Sequence, residues 1–587
     1  MATKKRKKLT SEQKEQLAQK KEVRSTLKRM GFHRILGVEG KHFTFFNGKR
    51  SELDDIFILE NVFLIVEYTT ASKYKEHLAK KNLLYQSIFE EPESFISFLL
   101  DDLRFEQLRE YYTSTTKVKY PNLSQLQLRI LYCSKTDIDT EYRRAVKRVN
   151  FFDLYVSHYF YYLTASLKKS AVTEFLDFLD IQSSLFGDQI GHSQVNSETF
   201  DAYVLPEVKS FFKEGYKIVS FYMDPDSLLK RAYVLRHEGW REKSSSIYYQ
   251  RMADPNRITK IRKYLTKERR VFINNIIVTM SANDVTFYDG NRIIEVSDEG
   301  KFKNNESEFK TKSIRLSIAN RSNSIGIIDG QHRVFAYHIG DDVYEETIAK
   351  MRRDQNLLVT GVVFPRNEKV EDRRKYEAKL FSEINVKQVK IPSHLQQELS
   401  KLVEPFSLTS IGKDIVSELT SSGPLSGRLE RYSFEKGKVK TASIVSFGLR
   451  PLIKIGDEDD SLFSLWDNPS KEKMYTAMED SNYDLKNEYV AFCSEAIRGL
   501  FIAVKDNIPS DEWKIYSPAD KKGLLSITFV NGILNLLRMI IENDKVLYDP
   551  EEYSKHLVNV GSFPFKGYKT SHYRKMGQDL YDKFFKH

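Results

Sequence analysis

The stretch SIGIIDGQHRVFAYHIG, residues 324–340, places four polar side chains and a glycine between two apolar runs. The run IGIID has the composition of a buried β-strand, and the apolar residues of RVFAYHI recur at helical spacing. The residues between them, 329–333, are therefore predicted to form a strand-to-helix turn. Backbone N–H groups at the start of a helix favour an anion, and a glycine there lets a phosphate approach the main chain.

The side chains of this turn suit an anion or a reacting water. Arg333 can clamp an anion through two donors, and Asp329 can cap the helix or hold a cation. His332 can move a proton, Gln331 can position a water, and Gly330 leaves the main chain open to a phosphate. These five residues are the candidate catalytic and phosphate-binding groups. The alternative is an ordinary Asp-Gly turn whose polar residues cap the helix and pair with each other.

A second group of candidate residues lies upstream, where the runs IFIL and FLIVEYTT flank a turn at 60–61. A tight hairpin there places Asp54 opposite Glu67 and Asp55 opposite Val66, within one residue of register. Neighbouring carboxylates repel each other unless a cation lies between them, and Mg²⁺ prefers carboxylate oxygens. Asp54, Asp55 and Glu67 are therefore candidate Mg²⁺ ligands. Acids on an ordinary solvated hairpin are the alternative.

The composition is that of a large folded protein. With 587 residues, 41% of them hydrophobic, the chain has material for two to four domains. Its formal charge of +11, from 92 basic and 81 acidic residues, favours a polyanionic partner such as nucleic acid. The basic cluster KKRKK near the N-terminus is either a solvated tail, a nuclear address or a DNA-grasping arm.

Several classes of protein are disfavoured by the sequence. Cys133 and Cys493 lie far apart with no Cys or His at metal-binding spacing, which predicts neither a disulfide framework nor a zinc module. No apolar run reaches the roughly 18 residues of a membrane span, and no hydrophobic segment follows the N-terminal charges. We therefore expect a cytoplasmic protein without a membrane partner. P-loop, nucleophile-elbow and HExxH motifs are absent from the sequence.

The turn and its flanks resemble the DGQHR-domain proteins, a ParB/sulfiredoxin-like group that includes DndB of the DNA phosphorothioation systems. The core motif is IIDGQHRVFAY, and further family elements resemble, in order, YYQRMADPNRITKIRKYL, FINNIIV, LFSEINVKQVKIPSHL and GLLSITFVNGILNLLRMII. The resemblance covers about residues 215–580. It implies a role beside DNA modification, restriction-modification or antiviral defence, with DNA and other proteins of such a system as partners.

For the site, the resemblance implies a nucleotide, such as a nucleoside triphosphate, or a DNA phosphate at the strand-to-helix turn, and hydrolysis of that nucleotide in some relatives. It adds Gln250 and Arg251 of the QR element to the predicted binding residues, together with Asn385 and Gln388 of the later element. DndB-like members are instead regarded as non-catalytic, DNA-binding transcriptional regulators. A nucleotide-binding site and a regulator thus remain two alternatives.

The carboxylate hairpin resembles the PD-(D/E)xK nuclease fold, with Asp54 or Asp55 as the first acid and Glu67 as the second. The family places a lysine two residues after the second acid, where this chain has Thr69. That lysine stabilises the attacking water or the phosphate.

Three lysines could supply the missing ammonium from other positions, as relocated lysines do in divergent members of the family: Lys49, Lys73 and Lys75. The segment is then a Mg²⁺-dependent DNA endonuclease that the DGQHR domain switches. The alternative is a nuclease-like fold retained for DNA binding or packing.

The expected fold class is α/β (α+β), with a restriction-endonuclease-like domain, a ParB-like DGQHR domain and a mostly helical C-terminal region. The expected segments are a basic tail and helix at 1–30, a nuclease-like domain at 31–180, a linker at 181–205, the DGQHR domain at 206–400 and the helical region at 401–587.

Two patterns have both a structural and a functional interpretation. Basic residues after Pro255, among them Arg257, Lys260, Arg262 and Lys263, form either a solvated helix face or a helix that follows phosphates. Five aromatic residues fall at helical intervals and are predicted to be core and not a base-stacking surface: Phe151, Phe152, Tyr155, Tyr159 and Tyr162.

Overall fold

The computed structural model describes residues 10–45, 50–69, 74–146, 149–182, 185–187, 197–205, 212–233, 254–303, 311–321, 324–385, 393–432, 435–456, 460–476, 482–517, 522–569 and 571–586. Within them the chain mixes helices and strands, in agreement with the expected α+β class. They fall into two compact units whose boundary lies at residues 373/374.

The first sheet contains β1 (His33–Ile35), β4 (Asp55–Leu59), β5 (Val62–Thr69), β6 (Gln127–Ser134) and β7 (Val149–Phe152), while β2 (His42–Thr44) and β3 (Arg50–Glu52) form a separate two-stranded ribbon. The strand order is β1-β4-β5-β6-β7. β1, β4 and β5 are antiparallel neighbours, and β6 and β7 continue the sheet parallel to β5. β6 covers the sequence QLRILYCS and is mostly buried.

The predicted hairpin is confirmed in register and in turn position. Asp55 pairs with Val66, and the pairing continues to a turn formed by Glu60 and Asn61. Glu60 adopts the left-handed region with φ 49°. The side chain of Asn61, which is fully buried, donates a 2.8 Å hydrogen bond to the carbonyl of Gln125 and thereby ties the turn to the entry of β6.

In the described part of the chain, eight α-helices accompany this sheet: α1 (Ser11–Arg29), α2 (Tyr74–Glu90), α3 (Pro92–Asp101), α4 (Glu106–Tyr111), α5 (Lys117–Lys119), α6 (Thr140–Ala145), α7 (Leu154–Leu167) and α8 (Val172–Phe178). α1 begins with a capping box, in which Thr10 and Gln13 bond each other's backbone N–H. α2 and α3 bury apolar side chains against one face of the sheet, where Ile65 lies. α1 packs against α7 and β5.

Four of the five aromatic residues are core, as predicted, but they do not lie on a single helix, and Tyr162 is not core. Phe151 and Phe152 lie in β7, and the helix begins two residues later at Leu154, after Asp153 caps it. Tyr155 and Tyr159 are buried on α7, whereas Tyr162 is 39% exposed. A run of so few buried aromatic residues fits both the helical period and the strand period. The strand agrees with the high β-propensity of valine and phenylalanine in VNFF.

The second sheet has nine strands: β8 (Ser197–Val204), β9 (Lys217–Met223), β10 (Ala232–Tyr233), β11 (Ile276–Ser281), β12 (Val285–Asp289), β13 (Arg292–Ile294), β14 (Lys312–Ala319), β15 (Ile325–Asp329) and β16 (Leu357–Phe364). The order is β10-β15-β11-β16-β9-β8-β14-β12-β13. The helices in this part of the chain are α9 (Pro225–Arg231), α10 (Pro255–Glu268), α11 (Gln331–Phe335) and α12 (Glu345–Asp354).

β15 is the apolar strand of the opening motif, and its burial is confirmed. It lies inside the sheet, parallel to β10 and antiparallel to β11. α11 follows it directly, so the predicted strand-to-helix turn is present. The helix is shorter than the spacing of RVFAYHI indicates, since it ends at Phe335 and the next residues form turns.

The segment boundaries differ from the expected ones in two places. Residues 197–204, inside the expected linker 181–205, form β8 and pair with β9 and β14. The second compact unit begins at 374, well before 401, with most of α13 (Val370–Asn385). Residues that alternate between exposed and buried along SETFDAYV are typical of a strand that covers a core on one face only.

The second unit is helical, as expected. Its further α-helices are α14 (Ser393–Val403), α15 (Leu408–Ser421), α16 (Arg450–Leu452), α17 (Leu462–Leu465), α18 (Lys473–Thr476), α19 (Tyr483–Asp506), α20 (Ile527–Asp544), α21 (Pro550–His556) and α22 (Tyr573–Phe584). α20 is buried along most of its length and packs closely on α22, where a side chain at Gly577 would meet the backbone of Asn535 at 2.6 Å.

Short 3-10 and π-helical segments complete the described structure: Leu103–Phe105, Tyr112–Thr116, Leu123–Gln125, Lys168–Ala171, Ile444–Leu449, Val560–Ser562 and Phe565–Gly567. Cys133 and Cys493 are free and buried. None of the helices within the described ranges has both the length and the apolar character needed to cross a bilayer.

Candidate functional site

The β4–β5 hairpin decides which acids come together. Because side chains alternate along a strand, Asp55 lies on the same face as its partner Val66, and Glu67 points to the opposite face. Asp54, one residue before Asp55, stands opposite Glu67 if the register is continued, and its Oδ2 accepts a 3.0 Å hydrogen bond from the N–H of Tyr68. Asp54 and Glu67 are therefore the neighbouring acids, in the place where the sequence predicts them.

Asp55 is bound by other side chains of the protein. Its buried carboxylate is 2.7 Å from Nε of Arg24 on α1 and 2.7 Å from Nε of Arg34 on β1. The hydroxyl of Tyr68 donates a third contact of 2.9 Å. With two guanidinium groups and a phenol around it, Asp55 links α1 and β1 to the sheet, and it takes the opposite side of the hairpin from Glu67.

Asp54 is partly exposed and faces a cation of the protein. Its Oδ1 is 2.9 Å from Nζ of Lys20 on α1, which is also 2.6 Å from Glu39. Burial lowers the pKa of Lys20, but the bonds to Glu39 and Asp54 outweigh it and raise the pKa overall. Lys20 is therefore a charged ammonium at the position from which an external cation would approach Asp54.

Glu67 is the most perturbed acid of the region. Its Oε2 is 2.8 Å from Nζ of Lys81, and its Oε1 is buried with no hydrogen-bond partner among the described residues. Burial raises the pKa of Glu67 to about 7, because the charge of Lys81 compensates only part of the desolvation and the charge of Asp54 acts in the same direction as burial. A buried carboxylate oxygen without a donor among the described residues is suited to a cation or a proton.

Lys81 is the functional residue that the sequence interpretation missed. It lies on α2, beside the apolar positions Leu78, Tyr85 and Ile88, and only 14% of its side chain is exposed. Its spacing from them, three, four and seven residues, puts it in the apolar stripe of the helix. The signal for Lys81 in the sequence is a single lysine within an apolar helical stripe, because a buried ammonium requires a partner inside the protein.

Of the three lysines named from the sequence, Lys75 is described, and it is exposed and pairs with Asp139 at 3.1 Å, not with Glu67. Lys49 and Lys73 lie outside the described residues. We call Asp54, Glu67 and Lys81 the acid cluster. In the described part of the chain, no set of three or more His, Cys, Asp and Glu side chains has an arrangement that would hold a metal ion.

At the DGQHR turn, the polar groups bind mainly to the protein itself. The guanidinium of Arg333 donates a 2.8 Å bond to Asp329, four residues earlier. Gly330 has φ +96°, and a side chain on it would meet Cδ1 of Ile276 at 2.5 Å. Glycine is therefore required both by backbone conformation and by close packing. Asp329 does not cap the helix, because its carboxylate is turned toward Arg333.

His332 holds the start of α10 against the turn. Its Nε2 accepts a 3.1 Å hydrogen bond from the backbone N–H of Asp254, the residue that caps α10. The ring is mostly buried. An Nε2 that accepts from the main chain carries no proton and is occupied, so this contact gives His332 a positioning role in the fold.

Arg333 retains one unused donor. Its Nη1 is buried without a hydrogen-bond partner among the described residues, although Nη2 is bonded to Asp329. Burial lowers the pKa of Arg333, the charge of Asp329 raises it, and the nearby charge of Arg257 lowers it further. Gln331 is the first residue of α11. A buried guanidinium N–H beside a second cation is suited to an anion.

Two buried arginines secure the chain after α11. Arg262, fully buried on α10, donates to the carbonyls of Ala336 and His338 and pairs with Asp342 at 2.8 Å. Arg352 of α12 also donates to the carbonyl of His338. Carbonyls of the turns that follow α11 are thus satisfied by side chains. Arg262 is not on a solvated or phosphate-following face.

The remaining predicted binding residues have no described side chains. Gln250, Arg251 and Gln388 lie outside the described residues, and Asn385 is the last residue of α13, with a side chain that is not described. Whether they approach the turn stays a prediction.

In comparisons with protein-family models, curated proteins and solved structures, the chain matches none of them. The likeness to DGQHR-domain and PD-(D/E)xK proteins therefore rests on the quoted motifs, and the function is argued from the geometry of the two sites.

Proposed function

We propose that this chain is a DNA-associated protein of a DNA-modification or anti-phage defence system, whose N-terminal domain cleaves DNA with Mg²⁺ at the acid cluster. The observation that carries the proposal is the buried Oε1 of Glu67, which lacks a partner among the described residues while Lys81 holds Oε2. The predicted hairpin that places these acids is present, and β6 continues the sheet parallel to β5.

The residues present fit a magnesium ion. Mg²⁺ in nucleotide-processing sites is held by one or two carboxylates, with waters and phosphate oxygens as its other ligands. Asp54 and Glu67 would supply these carboxylates, although Asp54 must share its Oδ1 with Lys20 or release it. Bound there, the ion would neutralise charge on a phosphate and lower the pKa of a water.

Lys81 fills the role of the family's lysine from a different element. Its ammonium neighbours Glu67 and also donates to the carbonyl of Glu52, so two contacts orient it. Thr69, the residue at the usual lysine position, is mostly buried at the end of β5. A preorganised ammonium beside the acids stabilises the charge that develops on a phosphate during cleavage.

The test is cleavage of supercoiled plasmid DNA with Mg²⁺ or with EDTA. The variants are Glu67→Gln and Lys81→Met, with Lys80→Met as the matched control, because Lys80 is the exposed neighbour of Lys81 on α2. We expect Mg²⁺-dependent nicking that falls by roughly a hundredfold or more in the two cluster variants and is unchanged in the control. Nicking that survives in Glu67→Gln, or no nicking by the unmodified protein, contradicts the proposal. DNA binding without nicking would favour the regulator.

A second candidate function is anion binding at the DGQHR turn, favoured by the unbonded Nη1 of Arg333. A nucleotide phosphate or a DNA phosphate would accept from it. Incubation with radiolabelled nucleotides would measure binding and phosphate release, with Asp329→Ala and Arg333→Met as variants. We expect at least a tenfold loss of binding in Arg333→Met. Equal binding by both variants and the unmodified chain would exclude the turn as the site.

A further inference from the structure

The outer face of α10 carries an uncompensated row of positive charge. Arg257, Lys260, Lys263 and Lys267 are all exposed, and they follow one another at intervals of three, three and four residues. Such spacing puts them on one side of a helix. Within the described residues only Lys267 has an acidic neighbour, Glu268 at 3.7 Å. We call these four residues the α10 basic strip.

The strip is not needed to hold the helix in place. α10 is anchored by its opposite side, where Ile258, Arg262 and Leu265 are buried. There the charge of Arg262 is balanced by Asp342 and Glu345, both within 2.9 Å. Like charges three and four residues apart on a helix destabilise it by a few tenths of a kcal/mol per pair. A row of them in which only Lys267 has an acidic neighbour among the described residues therefore costs stability and points to an external anion.

The positive charge extends past the end of the helix. Arg269 and Arg270 are exposed, and the guanidinium of Arg270 lies 5.8 Å from the ring centre of Tyr264. Tyr264 is stacked on Phe272, with ring centres 5.0 Å apart. This aromatic pair and Arg270 give the far end of the strip a rigid, cationic border.

We infer that the α10 basic strip binds the phosphate backbone of double-stranded DNA. From Arg257 to Lys267 the helix rises about 15 Å, which is about four times the axial rise of about 3.4 Å per phosphate of one duplex strand. Side chains placed one helical turn apart on a straight element can each meet a phosphate without reading the base sequence. The inference rests on the proposed association with DNA and names the surface that provides it.

The test removes three charges from the strip and three from elsewhere. The strip variant is Lys260→Gln with Lys263→Gln and Lys267→Gln. The control is Lys505→Gln with Lys555→Gln and Lys575→Gln, which removes exposed lysines of the helical unit and changes the net charge equally. Binding of a fluorescent 30-base-pair duplex is measured by anisotropy between 50 and 200 mM salt, in EDTA so that no cleavage occurs.

For the strip variant we expect weaker binding and a weaker dependence of affinity on salt. The slope of log affinity against log salt should be smaller in magnitude by about three, because each lost phosphate contact reduces that slope by about 0.9. The control should keep the slope of the unmodified chain. If the strip variant and the control have equal slopes, the strip is not the DNA surface, although DNA association stands. If the unmodified chain does not bind the duplex, both proposals fail. Tighter binding to duplex RNA than to DNA overturns the assignment of the partner.

Discussion

In the acid cluster, Glu67 keeps a buried carboxylate oxygen without a partner among the described residues, and its pKa is raised to about 7. In the DGQHR turn, Asp329 is paired with Arg333, and His332 accepts from the N–H of Asp254. Each region keeps a buried polar atom without a partner among the described residues, Oε1 of Glu67 in the first and Nη1 of Arg333 in the second. The difference is that the acid cluster leaves the oxygen of an acid in this state, whereas the DGQHR turn uses Asp329 and His332 to join β15, α10 and α11.

This contrast shows why a motif alone is an incomplete guide to chemistry. The five letters of the DGQHR motif are more distinctive than the scattered acids upstream, yet their side chains mostly hold the fold together. A polar group that the fold already satisfies must break that contact before it can act on a ligand. Three measurements test the contrast, beginning with the largest expected effect.

The first prediction concerns Arg262, the buried charge that the DGQHR region depends on. Arg262→Met removes the guanidinium partner of Asp342 and the side-chain donor to the carbonyl of Ala336, and leaves Glu345 and the carbonyl of His338 with Arg352, so we expect a loss of about 3–5 kcal/mol in unfolding free energy. Hydrogen exchange of the peptide that covers residues 325–338 would measure this loss of stability. The exposed Arg257→Met on the same helix should change the value by less than about 0.5 kcal/mol. Equal effects of both substitutions would show that the buried network does not hold this region.

The second prediction uses the raised pKa of Glu67. In the folded chain this carboxyl takes up its proton near pH 7, compared with the ordinary value of 4.5, so its contribution to stability is complete below about pH 4.5 and is lost as the pH rises to about 7. The loss amounts to about 3 kcal/mol. In metal-free buffer, Glu67→Gln should therefore gain stability relative to the unmodified chain between pH 5 and 8, in thermal melts.

Glu76→Gln, an exposed substitution on α2, the helix that carries Lys81, controls for the change in overall charge. A stability difference that stays constant over this pH range would mean that Glu67 is satisfied in the fold, and the contrast between the two regions would disappear.

The third prediction concerns Gly330 and has the smallest effect. Gly330→Ala forces a side chain into a left-handed residue and against Ile276, which should cost about 2 kcal/mol. Gly290→Ala shares the positive φ but meets no atom within 4 Å, and so should cost about 1 kcal/mol. Adding Ile276→Val to Gly330→Ala should recover the difference, in urea unfolding followed by circular dichroism. No recovery would show that Ile276 does not close the turn.

Much of the local architecture could be read from residue patterns. The hairpin turn at Glu60 and Asn61, the pairing of Asp55 with Val66 and the buried strand before Gly330 are where the sequence places them, because strand alternation and turn residues act over a few positions. The strand of VNFF and the early end of α11 were not predictable, since a short apolar run fits either period.

The sequence by itself determined that acids meet across a hairpin and that a glycine stands between a buried strand and a helix, because both follow from local geometry. Only the tertiary structure decided that Asp55 belongs to the fold, that Lys81 lies beside Glu67, and that His332 binds the start of α10. These outcomes depend on contacts between elements distant in the chain, where burial sets the cost of an unsatisfied charge. Which polar groups remain available is therefore decided by packing.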